Sequence, residues 1–152
     1  MKTLKQHIFE KLKVSVRNTT KHTLFSKTTD ELQQMIKDEI SKHGNECSLN
    51  HIDVSEITDM SELFYGSNFN GDISEWDVSN VKDMKVMFCN SKFNGDISEW
   101  DVSNVKDMTG MFYESIFDED ISGWDVSNVT DMSWMFYDSP LENNPPKWYK
   151  KQ

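Results

Sequence analysis

The sixteen residues FNGDISEWDVSNVKDM, Phe69 to Met84, recur letter for letter from Phe93 to Met108, 24 residues later. A third copy, FDEDISGWDVSNVTDM, runs from Phe117 to Met132 at the same step and keeps twelve of the sixteen letters. A worn copy precedes them, LNHIDVSEITDMSELF, from Leu49 to Phe64. A broken one follows: Leu141 to Trp148 keeps the spacing of Phe117 to Trp124, with Pro145 and Pro146 interrupting it. A unit this short cannot bury its apolar face alone, so a chain that repeats it must pack copy against copy.

Aligned at this step, the copies form apolar columns. Leu49, Ile73, Ile97 and Ile121 make one, and Ile52, Trp76, Trp100 and Trp124 the next. Val54, Val78, Val102 and Val126 follow, then Ile57, Val81, Val105 and Val129. Met60, Met84, Met108 and Met132 precede Leu63, Met87, Met111 and Met135, with Phe64, Phe88, Phe112 and Phe136 beside them. Phe69, Phe93 and Phe117 open the following unit, with Leu141 in the same slot. Within a unit, Trp76-x-Val78 has the period of a strand, and Met84, Met87 and Phe88 lie at i, i+3, i+4, one face of a short helix. Asp59, Asp83, Asp107 and Asp131 precede those runs as candidate caps. Gly71 and Gly95 fall between units, where a tight turn is expected.

These patterns predict an α/β solenoid of about four 24-residue coils, each a strand plus a short helix, over residues 49–140. Strands stacked as in a sheet would place each residue about 4.8 Å from its counterpart. Burial worth about 1.5–3 kcal/mol per large apolar side chain would hold the coils together. A helix is expected in residues 28–48. Thr28 and Glu31 have capping-box spacing, Leu32, Met35, Ile36 and Ile40 give an apolar face, and Gly44 stops it. Its expected task is to cap the open end of the first coil. Residues 1–27 read as a basic leader, amphipathic through Leu4, Ile8 and Leu12 or partly disordered. Residues 141–152 read as a partial coil and tail.

Charge is divided along the chain. Residues 1–28 hold seven basic groups against Glu10, a net of +6, whereas residues 49–140 hold four lysines against nineteen acids, a net of −15. Repeats this acidic repel phosphate backbones, so nucleic acid is not expected to bind them. Cys47 and Cys89 have no metal-ligand spacing and no obvious bridge, which suits a reducing compartment. The N-terminal residues MKTLKQHIFEKLKVS lack the apolar core of a secretory signal, and no stretch approaches the length of a membrane span. A cytoplasmic or virion-associated location is expected ahead of an extracellular one.

The wording FNGDIS-WDVSNV-DM--MF resembles the BspA-like repeats, also called the DUF285 family, over residues 49–140. Ile73-x-x-Trp76-x-Val78-x-x-Val81 is similar to the frame of leucine-rich repeats. The resemblance implies a right-handed leucine-rich-repeat-like solenoid and implies no single activity. Many members of the family are secreted adhesion or surface proteins; the missing export signal departs from that pattern.

Polar positions also form columns. Asp53, Asp77, Asp101 and Asp125 stack, as do Ser55, Ser79, Ser103 and Ser127, and Asn80, Asn104 and Asn128, with Glu75 and Glu99 alongside. Carboxylates about 4.8 Å apart repel by about 0.9 kcal/mol even in water. The expected offset is an Asx turn, each aspartate accepting a backbone N–H two or three residues on. Calcium held by these aspartates is the weaker reading, because neither an EF-hand loop nor a nonapeptide calcium repeat is present. Tyr65, Tyr113 and Tyr137 share a column with Cys89. Trp134 stands where Val86 and Gly110 stand in other copies, either exposed for an interface or packed under the tail with Trp148 and Tyr149.

Catalysis finds little support: His7, His22, His43 and His51 lack metal spacing, and no nucleophile elbow, P-loop or dinucleotide fingerprint occurs. Repeated carboxylates in equivalent surroundings do not split into acid and base. A non-enzymatic protein-interaction module is therefore expected, without metal or cofactor. Its partner-binding face would comprise Asp53, Asp77, Asp101, Asp125, Ser79, Ser103, Ser127, Glu75 and Glu99, with Tyr65, Tyr113, Tyr137 and Trp134 as interface aromatics. The alternatives are a structural component of a virion or other assembly docked through the basic leader, and an adhesion or carbohydrate-binding module.

Overall fold

The structure, a computed structural model, describes Thr3 and residues 22–151. The amphipathic segment Leu4, Ile8 and Leu12, and most of the basic leader with it, lie outside the described residues. The regular elements are β1 (Leu24–Phe25), α1 (Thr29–His43), β2 (Ile52–Asp53) and a 3-10 turn at Pro140–Glu142. Strands β1 and β2 pair in parallel, Leu24 opposite Ile52 and Phe25 opposite Asp53. The Ser26 hydroxyl extends this pairing by donating to the Asp53 carbonyl at 2.9 Å.

Helix α1 starts and stops where its chemistry dictates. The Thr28 side chain accepts the Glu31 N–H at 3.2 Å, satisfying one of the orphan donors of the first turn. The Glu31 carboxylate reaches back to the Lys27 N–H at 2.9 Å. Gly44 ends the helix at φ 87°, its N–H on the Ile40 carbonyl. Leu32 and Ile36 are buried in the common core, with Met35 and Ile40 partly covered. The Thr29 hydroxyl donates to the Asp59 carbonyl at 2.7 Å, fastening the start of α1 to the first repeat.

The expected right-handed, leucine-rich-repeat-like α/β solenoid of about four coils, each a strand and a short helix, is not what the repeats form. They contain no α-helix, and beyond β2 their strand pairing is reduced to single-residue parallel bridges, Asp59 to Asp83, Asp83 to Asp107 and Asp107 to Asp131. The reason lies in the backbone. Glu62, Val86, Gly110 and Trp134, at the centre of each expected helix, have φ between 48° and 60°. A residue in the left-handed region ends an α-helix. Asn90, Glu114 and Asp138, four residues further on, are left-handed as well, with Gly66 in the same column. The stretch expected as a strand is likewise folded into turns, Trp76 N–H to Ile73 carbonyl at 3.2 Å and Val81 N–H to Val78 carbonyl at 2.9 Å.

The alternation does more than break helices. Met87, Cys89 and Ser91 donate back three residues within their own repeat. Met84, Val86, Phe88 and Asn90 donate instead to the carbonyls of Asp107, Thr109, Met111 and Tyr113 in the next one, at 2.8–2.9 Å. The same four rungs join the first repeat to the second and the third to the fourth. Every junction therefore satisfies its backbone groups without a regular strand or helix.

Side chains follow that register. The Trp76 and Trp100 rings stack at 6.5 Å and 7°. Phe64, Phe88, Phe112 and Phe136 stack in order at 5.5, 5.6 and 5.9 Å. Each indole N–H donates to a carbonyl of the preceding repeat: Trp76 to Leu49, Trp100 to Ile73, Trp124 to Ile97. Trp148 continues the column, donating to the Ile121 carbonyl at 3.0 Å and stacking on Trp124. Gly71 answers to close approach and not to φ: a Cβ there would lie 1.9 Å from the Cys47 carbonyl oxygen.

Candidate functional site

Three aspartate columns line the outside of the repeats, and each is held by the same device. In Asp53, Asp77, Asp101 and Asp125 an Oδ1 accepts the N–H of the serine two residues on, at 2.9–3.1 Å. The Ser79 and Ser103 hydroxyls add bonds of 2.6 Å to the same oxygens. Asp72, Asp96 and Asp120 hold Ser74, Ser98 and Ser122 identically, at 2.9 Å. Asp59, Asp83, Asp107 and Asp131 cap Ser61, Lys85, Thr109 and Ser133, although turns follow them and not helices. The Asx turn is thus the local reason the chain carries so many aspartates. Asn80, Asn104 and Asn128 link repeats, their amides donating to the carbonyls of Ser55, Ser79 and Ser103.

These bonds favour the carboxylate. Burial pushes Asp53 and Asp72 up, but the N–H and hydroxyl of Ser55, with His22, and those of Ser74, with Asn50, outweigh it and hold both below the ordinary range. The Ser98 N–H and hydroxyl lower Asp96 against opposing burial and the neighbouring Asp72 charge. The Ser127 hydroxyl and N–H lower Asp125. Asp53, Asp72, Asp96 and Asp125 are therefore held as carboxylates.

Five of the expected face residues converge. Asp53, Glu75, Asp77, Glu99 and Asp101 border an open groove of about 370 Å³, at whose edge His22 lies 3.8 Å from Asp53. Its floor carries edges of the buried Trp76 and Val78. Asp125 and Ser127 continue the column beyond the groove, both exposed. Ser79 and Ser103 serve as anchors of the aspartates. Sequence reasoning missed His22, which reaches the groove only because β1 pairs with β2. It also missed the Asp72 column, although Asp72-x-Ser74 repeats at the same step as Asp77-x-Ser79 and was open to the same argument.

The interface aromatics divide. Tyr65, Trp134 and Tyr137 are exposed, at 58%, 64% and 42% of their surface. Tyr113 is half-buried and stacks on Tyr137 at 5.0 Å. Trp134 is not packed under the tail; its ring meets Tyr137 edge-on at 5.5 Å, while Tyr149 covers Phe136 at 4.9 Å. Cys89, in the tyrosine column, is buried, and burial with the Glu114 charge pushes its thiol up. Among the described residues no group of three or more His, Cys, Asp or Glu has the arrangement of a metal site. No helix among them is long and apolar enough to cross a membrane.

No curated protein and no solved structure matches this chain. The family model described as "Mycoplasma protein of unknown function, DUF285" matches residues 30–148, from the first turn of α1 to the last tryptophan of the Trp column. The unit it covers includes the helix and the Trp148 copy, beyond the 49–140 segment that carries the sequence resemblance. With more than two thirds of its length inside that match, the chain belongs to the DUF285 family.

Proposed function

We propose that this protein is a non-enzymatic interaction module whose acidic groove takes a basic segment of a partner protein. The observation that carries the reading is the convergence of Asp53, Glu75, Asp77, Glu99 and Asp101 on one open groove. Carboxylates held by serine Asx turns keep one oxygen occupied and lose little side-chain freedom when a cation arrives, which favours binding. Lys or Arg side chains of a partner would bridge successive repeats, and their bonds to carboxylates are the stronger, charge-assisted kind.

The test is calorimetry of the full chain with an oligo-arginine peptide, against two charge-matched variants. One replaces Glu75, Asp77, Glu99 and Asp101 by their amides. The other makes Asp118→Asn, Glu119→Gln, Asp120→Asn and Asp125→Asn away from the groove. Binding that weakens with salt and falls at least tenfold in the groove variant alone supports the reading. Equal losses in both variants, or no binding at all, overturn it.

A second reading rests on the contrast between a +6 leader and −15 repeats. On that reading the chain is a structural component of a virion or other assembly, docked through residues 1–20. Deletion of residues 1–20 would then abolish co-assembly, while the groove variant would assemble normally.

A further inference from the structure

The rungs between repeats have a direction, and at both ends of the described stack they run out. Each of the four rungs described above is an N–H of one repeat donated to a carbonyl of the following repeat, whereas Lys82, Lys106 and Thr130 beside them donate to the preceding one. The last described repeat has the same four donors, Met132, Trp134, Phe136 and Asp138. Asp138 is satisfied by the Glu142 carboxylate at 2.9 Å. The N–H groups of Met132, Trp134 and Phe136 have no acceptor among the described residues. At the other end, the Asp59 carbonyl accepts the Thr29 hydroxyl, and the carbonyls of Ser61, Leu63 and Tyr65 have no donor among the described residues.

We propose that the C-terminal edge of one molecule docks on the N-terminal edge of a second copy, continuing the internal register from chain to chain. The three internal junctions specify the pairing: Trp134 N–H to Ser61 carbonyl, Phe136 N–H to Leu63 carbonyl. Met132 finds the second lone pair of Asp59. The side chains agree with the backbone. Tyr65 and Tyr137 occupy one column, and docking brings them side by side as Tyr113 and Tyr137 already lie at 5.0 Å. Both are exposed, as is Trp134, so the two edges present the largest exposed rings of that strip. An apolar groove of about 440 Å³, bordered by Trp134, Phe136, Tyr137 and Tyr149, adjoins the open donors.

Helix α1 and the tail cover the core at the two ends, through Leu32 and Ile36 and through Tyr149 and Trp148, while Trp134 and Tyr65 on the rung strips stay exposed. Along this strip the open N–H groups lie at the last repeat and the open carbonyls at the first, so the contact is heterologous and adds copies head to tail. A basic peptide in the acidic groove uses a different face, so the two proposals stand or fall separately.

Sedimentation velocity on the full chain tests this, from about 10 µM to about 1 mM, since a contact this small corresponds to weak association. The expected result is a concentration-dependent rise in mass that strengthens with salt, because copies of net charge −10 repel. Trp134→Asp spoils the donor end and tolerates the left-handed backbone there; Tyr65→Asp spoils the acceptor end. Each variant alone should associate at least tenfold more weakly, and the mixture should form a dimer that grows no further. A wild-type chain that stays monomeric throughout, variants that associate undiminished, or a mixture that fails to pair would overturn the proposal.

Discussion

At Gly71 a single methyl group decides whether the second repeat can be seated. Its Cβ would meet the Cys47 carbonyl at 1.9 Å, whereas a Cβ at Gly123 meets nothing within 4 Å. Gly71→Ala should therefore destabilise by about 1–3 kcal/mol, the cost of overpacking, and Gly123→Ala should change stability by less than about 1 kcal/mol. Urea unfolding of both variants distinguishes them. The serines act at the same scale through charge. Asp72 and Asp96 lie below the ordinary carboxylate range when folded. Their contribution is complete above the unfolded value of about 3.9 and is lost as pH falls through the lower folded values. Ser98→Ala removes the hydroxyl's share of the lowering of Asp96 and keeps the N–H bond. It should weaken the protein at pH 7, and the gap to wild type should close as the pH drops below about 3.9. Denaturant midpoints measured from pH 7 to pH 2 check this; a gap that does not depend on pH would contradict it.

Among the elements, α1 is the only α-helix of the described chain and the one most dependent on local chemistry. Its Thr28 cap satisfies an N–H that nothing else reaches. Thr28→Ala should cost about 0.5–2 kcal/mol, read as an earlier loss of the far-ultraviolet helix signal in a denaturant titration. The capping residues, the apolar face and Gly44 all lie within one contiguous segment, which is why this helix was legible in the sequence. The repeats were misread at this scale for an equally definite reason. Met84, Met87 and Phe88 have helical spacing, but the period reports only which side chains share a side. It does not report the φ of Val86 between them, and a value of 48° converts the run into alternating turns. A valine in the left-handed region is held there by rungs on either side, Val86 to Thr109 and Glu62 to Lys85, which no local propensity contains.

Over the whole molecule, the interior repeats are better covered than the last. Met84 and Met108 are fully buried, whereas Met132 is half-exposed in the same column. Met108→Ala should cost about 2–5 kcal/mol, and Met132→Ala clearly less, because only the former leaves an enclosed cavity. Hydrogen exchange should show the same gradient: the Phe88 and Phe112 amides, bonded across junctions, exchange slowly, and the Phe136 amide exchanges quickly in dilute solution despite its buried ring. What the sequence determined by itself was the 24-residue register, the membership of each apolar column, the Asx turns and the helix with its caps. All of these depend on residue identity at fixed separations. Tertiary structure alone decided that the repeats are built of turns and not of the coils of strand and helix that the pattern suggested, that His22 reaches the acidic groove through β1, and that Trp134 faces solvent. Those outcomes depend on which backbone group finds its partner across a junction, and a hydrogen bond between residues 23 apart leaves no mark in the local pattern.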